Sequence, residues 1–203
     1  MNIIKFLILF ISFNLLAKEN KNSEVLNIPN HTSWNSLLQK HVDALGNVDY
    51  KDFKTDTALL DSYLNELANN SPAENWTKND KLAYYINLYN AATVKLILEN
   101  YPLNSIKDIK NPWDRKWVKI GNQLFSLGDI EHKILRKMDD PRIHFAINCA
   151  SFSCPKLSNV AYLPDTLEKQ LKKAALDFIN DTSKNKIATN KLIVCLWHFK
   201  LFQ

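Results

Sequence analysis

The run LAYYINLYNAATVKLILEN (residues 82–100) constrains the fold of this chain more than any other segment. Its apolar residues follow no single stripe and cover a helix nearly all round. Such a helix is stable only at the centre of a domain, enclosed by other elements. Thr77 followed by Asp80 sets its start as an acidic capping box, and Pro102 stops it near Asn100. Asn87 and Asn90 stand one turn apart on this helix, where a buried amide left without partners costs about 1–3 kcal/mol. Both are expected to tie neighbouring loops to the core, and both are candidate binding residues.

The enclosing elements are read from periodicity. An N-cap at Thr32 or Ser33 opens a first helix, with Trp34, Leu37, Leu38, His41, Val42 and Leu45 on one face and Gly46 as its stop. A second amphipathic helix runs from about Asp56 to Ala68, with Leu60, Tyr63, Leu64 and Leu67 inward. WVKI-GN-QLFS is a hairpin in which Gly121 takes the first turn position. Ser126 and Asp129 cap a helix LGDIEHKILRKM, and RIHFAINC alternates as a strand does. Pro164 opens a last long helix with Leu167, Leu171, Ala174, Ala175 and Phe178 on its apolar face, and KIAT-N-KLIV is a final hairpin. The expected fold is a helix-rich α+β single domain over residues 31–203, with small antiparallel hairpins and a buried central helix; a hydrophobic content of 46% suffices for one core.

The N-terminus points to export. Lys5 precedes an apolar stretch from Phe6 to Leu16, and Ala17 precedes the polar KENKNSE, so residues 1–17 read as a secretory signal peptide cut after Ala17. Residues 18–30 read as a flexible lead. The expected location is periplasmic or extracellular. No later segment reaches the roughly 18–20 apolar residues of a membrane helix, so no membrane span is expected in the mature chain. Removing Lys5 takes the formal charge from +5 to 5 − 1 = +4. Lys107, Lys110, Lys116 and Lys119 are interspersed with Asp108 and Asp114, so no basic stripe marks a nucleic-acid binder.

Candidate chemistry concentrates between Glu131 and Cys154. A thiol hydrolase or transferase needs a cysteine, an imidazole to hold it as thiolate, and a carboxylate or amide to orient the imidazole. Cys149 is the candidate nucleophile, with His144 or His132 as base and Glu131 or Asn148 as orienter. In a regular strand His144 and Asn148 share one face while Cys149 falls on the other, so a Cys149–His144 pair requires the strand to break. Asn and Ser in NCASFSCP favour such a turn. Equally open is a Cys149–Cys154 disulfide, which an oxidising compartment would form, or thiol–disulfide exchange, whose usual spacing of two intervening residues is not met here. Arg136, Asn148, Ser151 and Ser153 complete the candidate binding set, for a small-molecule or peptide ligand of unset identity. No CxxC or HExxH spacing supports a metal, and neither metal nor cofactor is expected. The sequence does not set the oligomeric state.

GNVDYKDF, KLAYYINLYNAATVKLIL with YPLNSIKDI, FSLGDIEHKILR, and RIHFAINCASFSCPKL followed by AYLPDTLEKQL together resemble the family known as domain of unknown function 547. The likeness covers most of the chain between Gly46 and Ile179. The family's recurrent polar positions fall on Asn87, Asn90, Glu131, His132, Arg136, His144, Asn148, Cys149, Ser151, Ser153, Cys154 and Pro155. The resemblance implies no activity; relatives in bacterial envelopes, and in eukaryotes beside glutaredoxin-like or leucine-zipper segments, imply thiol chemistry or scaffolding by association. Family members continue past the last hairpin, whereas here CLWHFKLFQ ends the chain, so a truncated C-terminus is expected and Cys195 and His198 have no counterparts.

Overall fold

The computed structural model describes residues 27–151 and 153–185. The expected signal peptide, most of the lead, the final hairpin, Cys195 and His198 lie outside these residues. The central helix, α4 (Lys78–Asn100), is where the sequence places it, and from Leu82 to Leu98 only Tyr85 and Lys95 escape full burial. Its capping box is formed: Thr77 N–H donates to Asp80 Oδ2 at 2.9 Å, and Asp80 N–H donates to Thr77 Oγ1 at 3.2 Å. Lys95 reaches out to Asp61 at 2.7 Å, so its stem packs while its ammonium is paired.

Around α4 lie α1 (Thr32–His41), α2 (Tyr50–Phe53), α3 (Thr57–Asn69) and α7 (Leu167–Ile179), with α3 packed on α4 and α1 on α3. Trp34 of α1 stacks on Tyr63 of α3 at 5.9 Å, and the His41 ring lies 4.4 Å from Phe53. The first helix stops four residues earlier than its periodicity suggests. His31, in the left-handed region, is its N-cap in place of Thr32 or Ser33, and after His41 the chain extends so that Val42 bridges Val48. Leu45, expected on the inner face, is 76% exposed as a result. Gly46, at φ 84°, turns the chain back against Lys156 and Leu157.

One two-stranded antiparallel sheet, β1 (Val118–Ile120) with β2 (Gln123–Phe125), has the expected register, Ile120 opposite Gln123 across the Gly121 turn. Gly121 takes φ 56°, which a glycine adopts without strain. The helix predicted over LGDIEHKILRKM is present but irregular: α5 (Leu127–Asp129) widens into a π-helical turn (Ile130–Ile134) and tightens into a 3-10 turn (Leu135–Lys137).

The strand expected for RIHFAINC does not form. Arg142 donates its N–H to Asp140 Oδ1 at 3.0 Å, and Ile143, His144 and Phe145 donate to the carbonyls of Asp140, Pro141 and Arg142. The resulting short helix, α6 (Ile143–Ala146), buries Ile143, Ala146 and Ile147, an i, i+3, i+4 set, and packs against α7. No helix among the described residues is long and apolar enough to cross a membrane.

Candidate functional site

The candidate residues divide between two places on either side of α6. The first is a cleft of about 510 Å³ lined by His132, Arg136, Asp140, Pro141, Ile143 and His144, among others. Its far wall is the irregular helix. Ser126 and Asp129 form the expected capping box, and Lys133 meets Asp129 at 2.6 Å. The Lys133 ammonium, backed by the Ser126 N–H, holds the Asp129 carboxyl down at about 2. The π turn that follows adds a residue to one turn of helix, a distortion frequent at functional sites. It presents Glu131 half-buried toward α4 and His132 outward.

Glu131 connects core to cleft. Its Oε2 accepts from the buried Tyr89 hydroxyl at 3.4 Å, and its Oε1 lies 3.8 Å from His132 Nδ1. Burial first, and the Glu131 charge second, push the Tyr89 hydroxyl well above the ordinary phenol range, so it remains a donor. Arg136, one turn on, has Nη1 at 3.3 Å from His132 Nδ1. The two neighbours make opposite demands on His132 Nδ1: a guanidinium only donates and calls for a lone pair there, whereas the Glu131 carboxylate favours a proton. His144 is 8% exposed and reaches the cleft from α6. Sequence reasoning overlooked the clamp beneath the cleft: Arg142 donates Nε and Nη2 to Asp140 at 2.9 and 2.7 Å and reaches Glu168 at 2.6 and 2.9 Å. Its signal in the sequence is the DPR turn, whose short spacing suits an Asx-type bond.

The second place is the loop that follows α6. The Asn90 side chain behaves as a strand's peptide group would: Nδ2 donates to Ala146 O at 2.9 Å and Oδ1 accepts from Asn148 N–H at 2.8 Å. Asn87, one turn earlier, does the same with Tyr162, at 2.7 and 3.0 Å. Both amides are spent on backbone, so these two candidates anchor loops. Asn148 repeats the device, accepting from Ala150 N–H at 2.9 Å and donating to Pro155 O at 2.7 Å.

Within the loop so clamped, Cys149 and Cys154 stand at disulfide distance, with Cα atoms 6.1 Å apart. The question of face-sharing between Cys149 and His144 in a strand lapses because the strand is a helical turn. Ala150 takes a left-handed φ of 54°, and Ser151 Oγ lies 3.3 Å from Ser153 Oγ on the exposed side. Asn148, Ser151 and Cys154 line a groove of about 760 Å³ that is also lined by Tyr50, Asp177 and Lys184. His132, Arg136 and His144 thus share one cleft, Asn148 and Ser151 another, and Cys149 lines neither. Among the described residues no cluster of three or more histidine, cysteine, aspartate or glutamate side chains is arranged to hold a metal ion.

The family model described as "Protein of unknown function, DUF547" matches residues 73–179, a span that contains α4, the His132–Arg136–His144 cleft, the 148–155 loop and α7, while Tyr50 and Lys184 of the groove lie outside it. No curated protein and no solved structure matches the chain.

Proposed function

This chain belongs to the DUF547 family, and from that premise we propose that it is an exported, non-catalytic binding or scaffold module that holds a small-molecule or peptide ligand in the groove walled by the 148–155 loop. The Cys149–Cys154 bridge carries the reading. It withdraws the thiol that a hydrolase would use, and it belongs in an oxidising compartment, in keeping with the secretory signal expected at residues 1–17. The loop it closes supplies one wall of the groove, with Ser151 offering a hydroxyl there and Asn148 holding the loop in shape.

A second reading rests on a different observation. Tyr89, Glu131 and His132 are in contact and His144 shares the cleft, an arrangement suited to an acid–base pair in a cysteine-dependent hydrolase or transferase acting on an amide or thioester. That reading requires Cys149 as a free thiolate.

The two separate by intact mass and alkylation of the mature protein under non-reducing conditions. A bridged pair, resistant to iodoacetamide, is the expected result. A Cys149 that alkylates readily near neutral pH in untreated protein would refute the binding-module reading in favour of the hydrolase.

A further inference from the structure

The disulfide is lopsided. Cys154 is 4% exposed, whereas Cys149 is only half-buried. Cys154 is also held on both backbone sides: its N–H donates to Ser151 O at 3.0 Å, and its carbonyl accepts from Lys184 Nζ at 2.7 Å. The next residue, Pro155, is fixed through its carbonyl by Asn148. Cys149 sits at the start of the loop, next to Ala150 with its left-handed backbone. A thiolate attacks a disulfide along the S–S axis, bonding to the sulfur it can reach and expelling the one behind, so access decides which cysteine takes the adduct.

We propose that Cys149 is a site of reversible S-thiolation by low-molecular-mass thiols of the glutathione class. The incoming thiolate bonds to Cys149 Sγ, the Cys149–Cys154 bond breaks, and its electron pair leaves on Cys154 Sγ, which takes a proton from water. No net oxidation or reduction occurs in this step. The reverse attack by the Cys154 thiolate on Cys149 Sγ restores the bridge and releases the thiol. The Lys184 ammonium holds the Cys154 carbonyl, so the departing cysteine keeps its place in the wall when the bridge opens. Because Cys154 and Ser151 line the groove, opening the bridge alters that wall while the Asn148 clamp keeps the base of the loop closed. The inference rests on the bridge of the preceding reading and not on what the groove binds.

The test uses the full chain. Oxidised protein is treated with reduced glutathione near neutral pH, acid-quenched, alkylated and peptide-mapped, which scores Cys195 separately. The adduct is expected on Cys149, with Cys154 alkylated, about 10-fold over the converse. In parallel, Cys154→Ser is expected to react with oxidised glutathione about 10-fold faster than Cys149→Ser, a difference abolished in guanidinium. An adduct on Cys154, equal partition, or no adduct on the folded protein overturns the proposal and leaves the bridge standing. Free Cys149 and Cys154 in the untreated sample would instead remove the bridge, and with it both this proposal and the binding-module reading.

Discussion

Replacing Asn90 with aspartate changes one atom of a buried clasp, and its consequence reverses with pH. In the native chain Nδ2 donates to Ala146 O and Oδ1 accepts from Asn148 N–H, at 2.9 and 2.8 Å. In Asn90→Asp an ionised carboxylate keeps the second bond but sets an oxygen against the Ala146 carbonyl, in a site where the native residue is 2% exposed. A protonated carboxyl donates to that carbonyl and restores the clasp. Burial and the facing carbonyl therefore raise the folded-state pKa of the new side chain above the unfolded value of about 3.9. Between those two values the folded protein binds the extra proton, so unfolding free energy falls as pH rises, by about 1.4 kcal/mol per pH unit. Stability close to wild type is expected at low pH, and a deficit of about 2–4 kcal/mol above the raised pKa, comparable to Asn90→Ala at every pH. Urea unfolding of the three proteins at about pH 4.5 and about pH 7.5 measures this. A pH-independent Asn90→Asp deficit, or none, would refute the clasp.

His31 is buried against Tyr63, its Nδ1 2.7 Å from the hydroxyl, and burial lowers its pKa to about 4. The unfolded chain binds the proton first, so this group's contribution is complete above about pH 6.5 and is lost as pH falls toward about 4, up to about 3 kcal/mol. His31→Asn, which tolerates the left-handed backbone, is expected to flatten that limb of the stability–pH curve; an unchanged limb assigns it elsewhere. The double variant Cys149→Ser/Cys154→Ser is expected to lose no more than about 2 kcal/mol in urea unfolding, because the loop is short and its base is already clamped by Asn148. Global unfolding of that variant would contradict this. Gly46→Ala places a Cβ 2.5 Å from Lys156 Cβ and 3.0 Å from Leu157 O at φ 84°, and a loss above about 1 kcal/mol is expected by the same assay. A neutral result would mean that the 156–157 segment yields freely.

Where a local signal and the tertiary demand agree, the chain is readable. The capping boxes at Thr77 and Ser126, the Gly121 turn and the all-round apolar α4 are each found at their expected positions. Three features were hidden, for different reasons. RIHFAINC is too short for period 2 and period 3.6 to differ, and the Asp140–Arg142 bonds settle it as a helical turn. The π turn at Ile130–Ile134 has no periodic signature distinct from an ordinary helix. The early stop of α1 depends on the Val42–Val48 bridge, a contact across the turn that spacing along a helix does not report. At the candidate site the residue types were legible, whereas the division into a histidine–arginine cleft and a disulfide-walled groove is a matter of where α6 places its two ends.

The two asparagines of α4 have a consequence for amide hydrogen exchange. The N–H groups of Asn148 and Tyr162 belong to loops, which ordinarily exchange through small local openings. Here each donates to a side chain rooted in the most deeply buried helix, one turn from the other. Neither proton is released by loop motion that keeps these two bonds to α4. Two loop amides far apart in sequence should exchange with the slow, shared rate of the central helix, and they report on its opening from outside it.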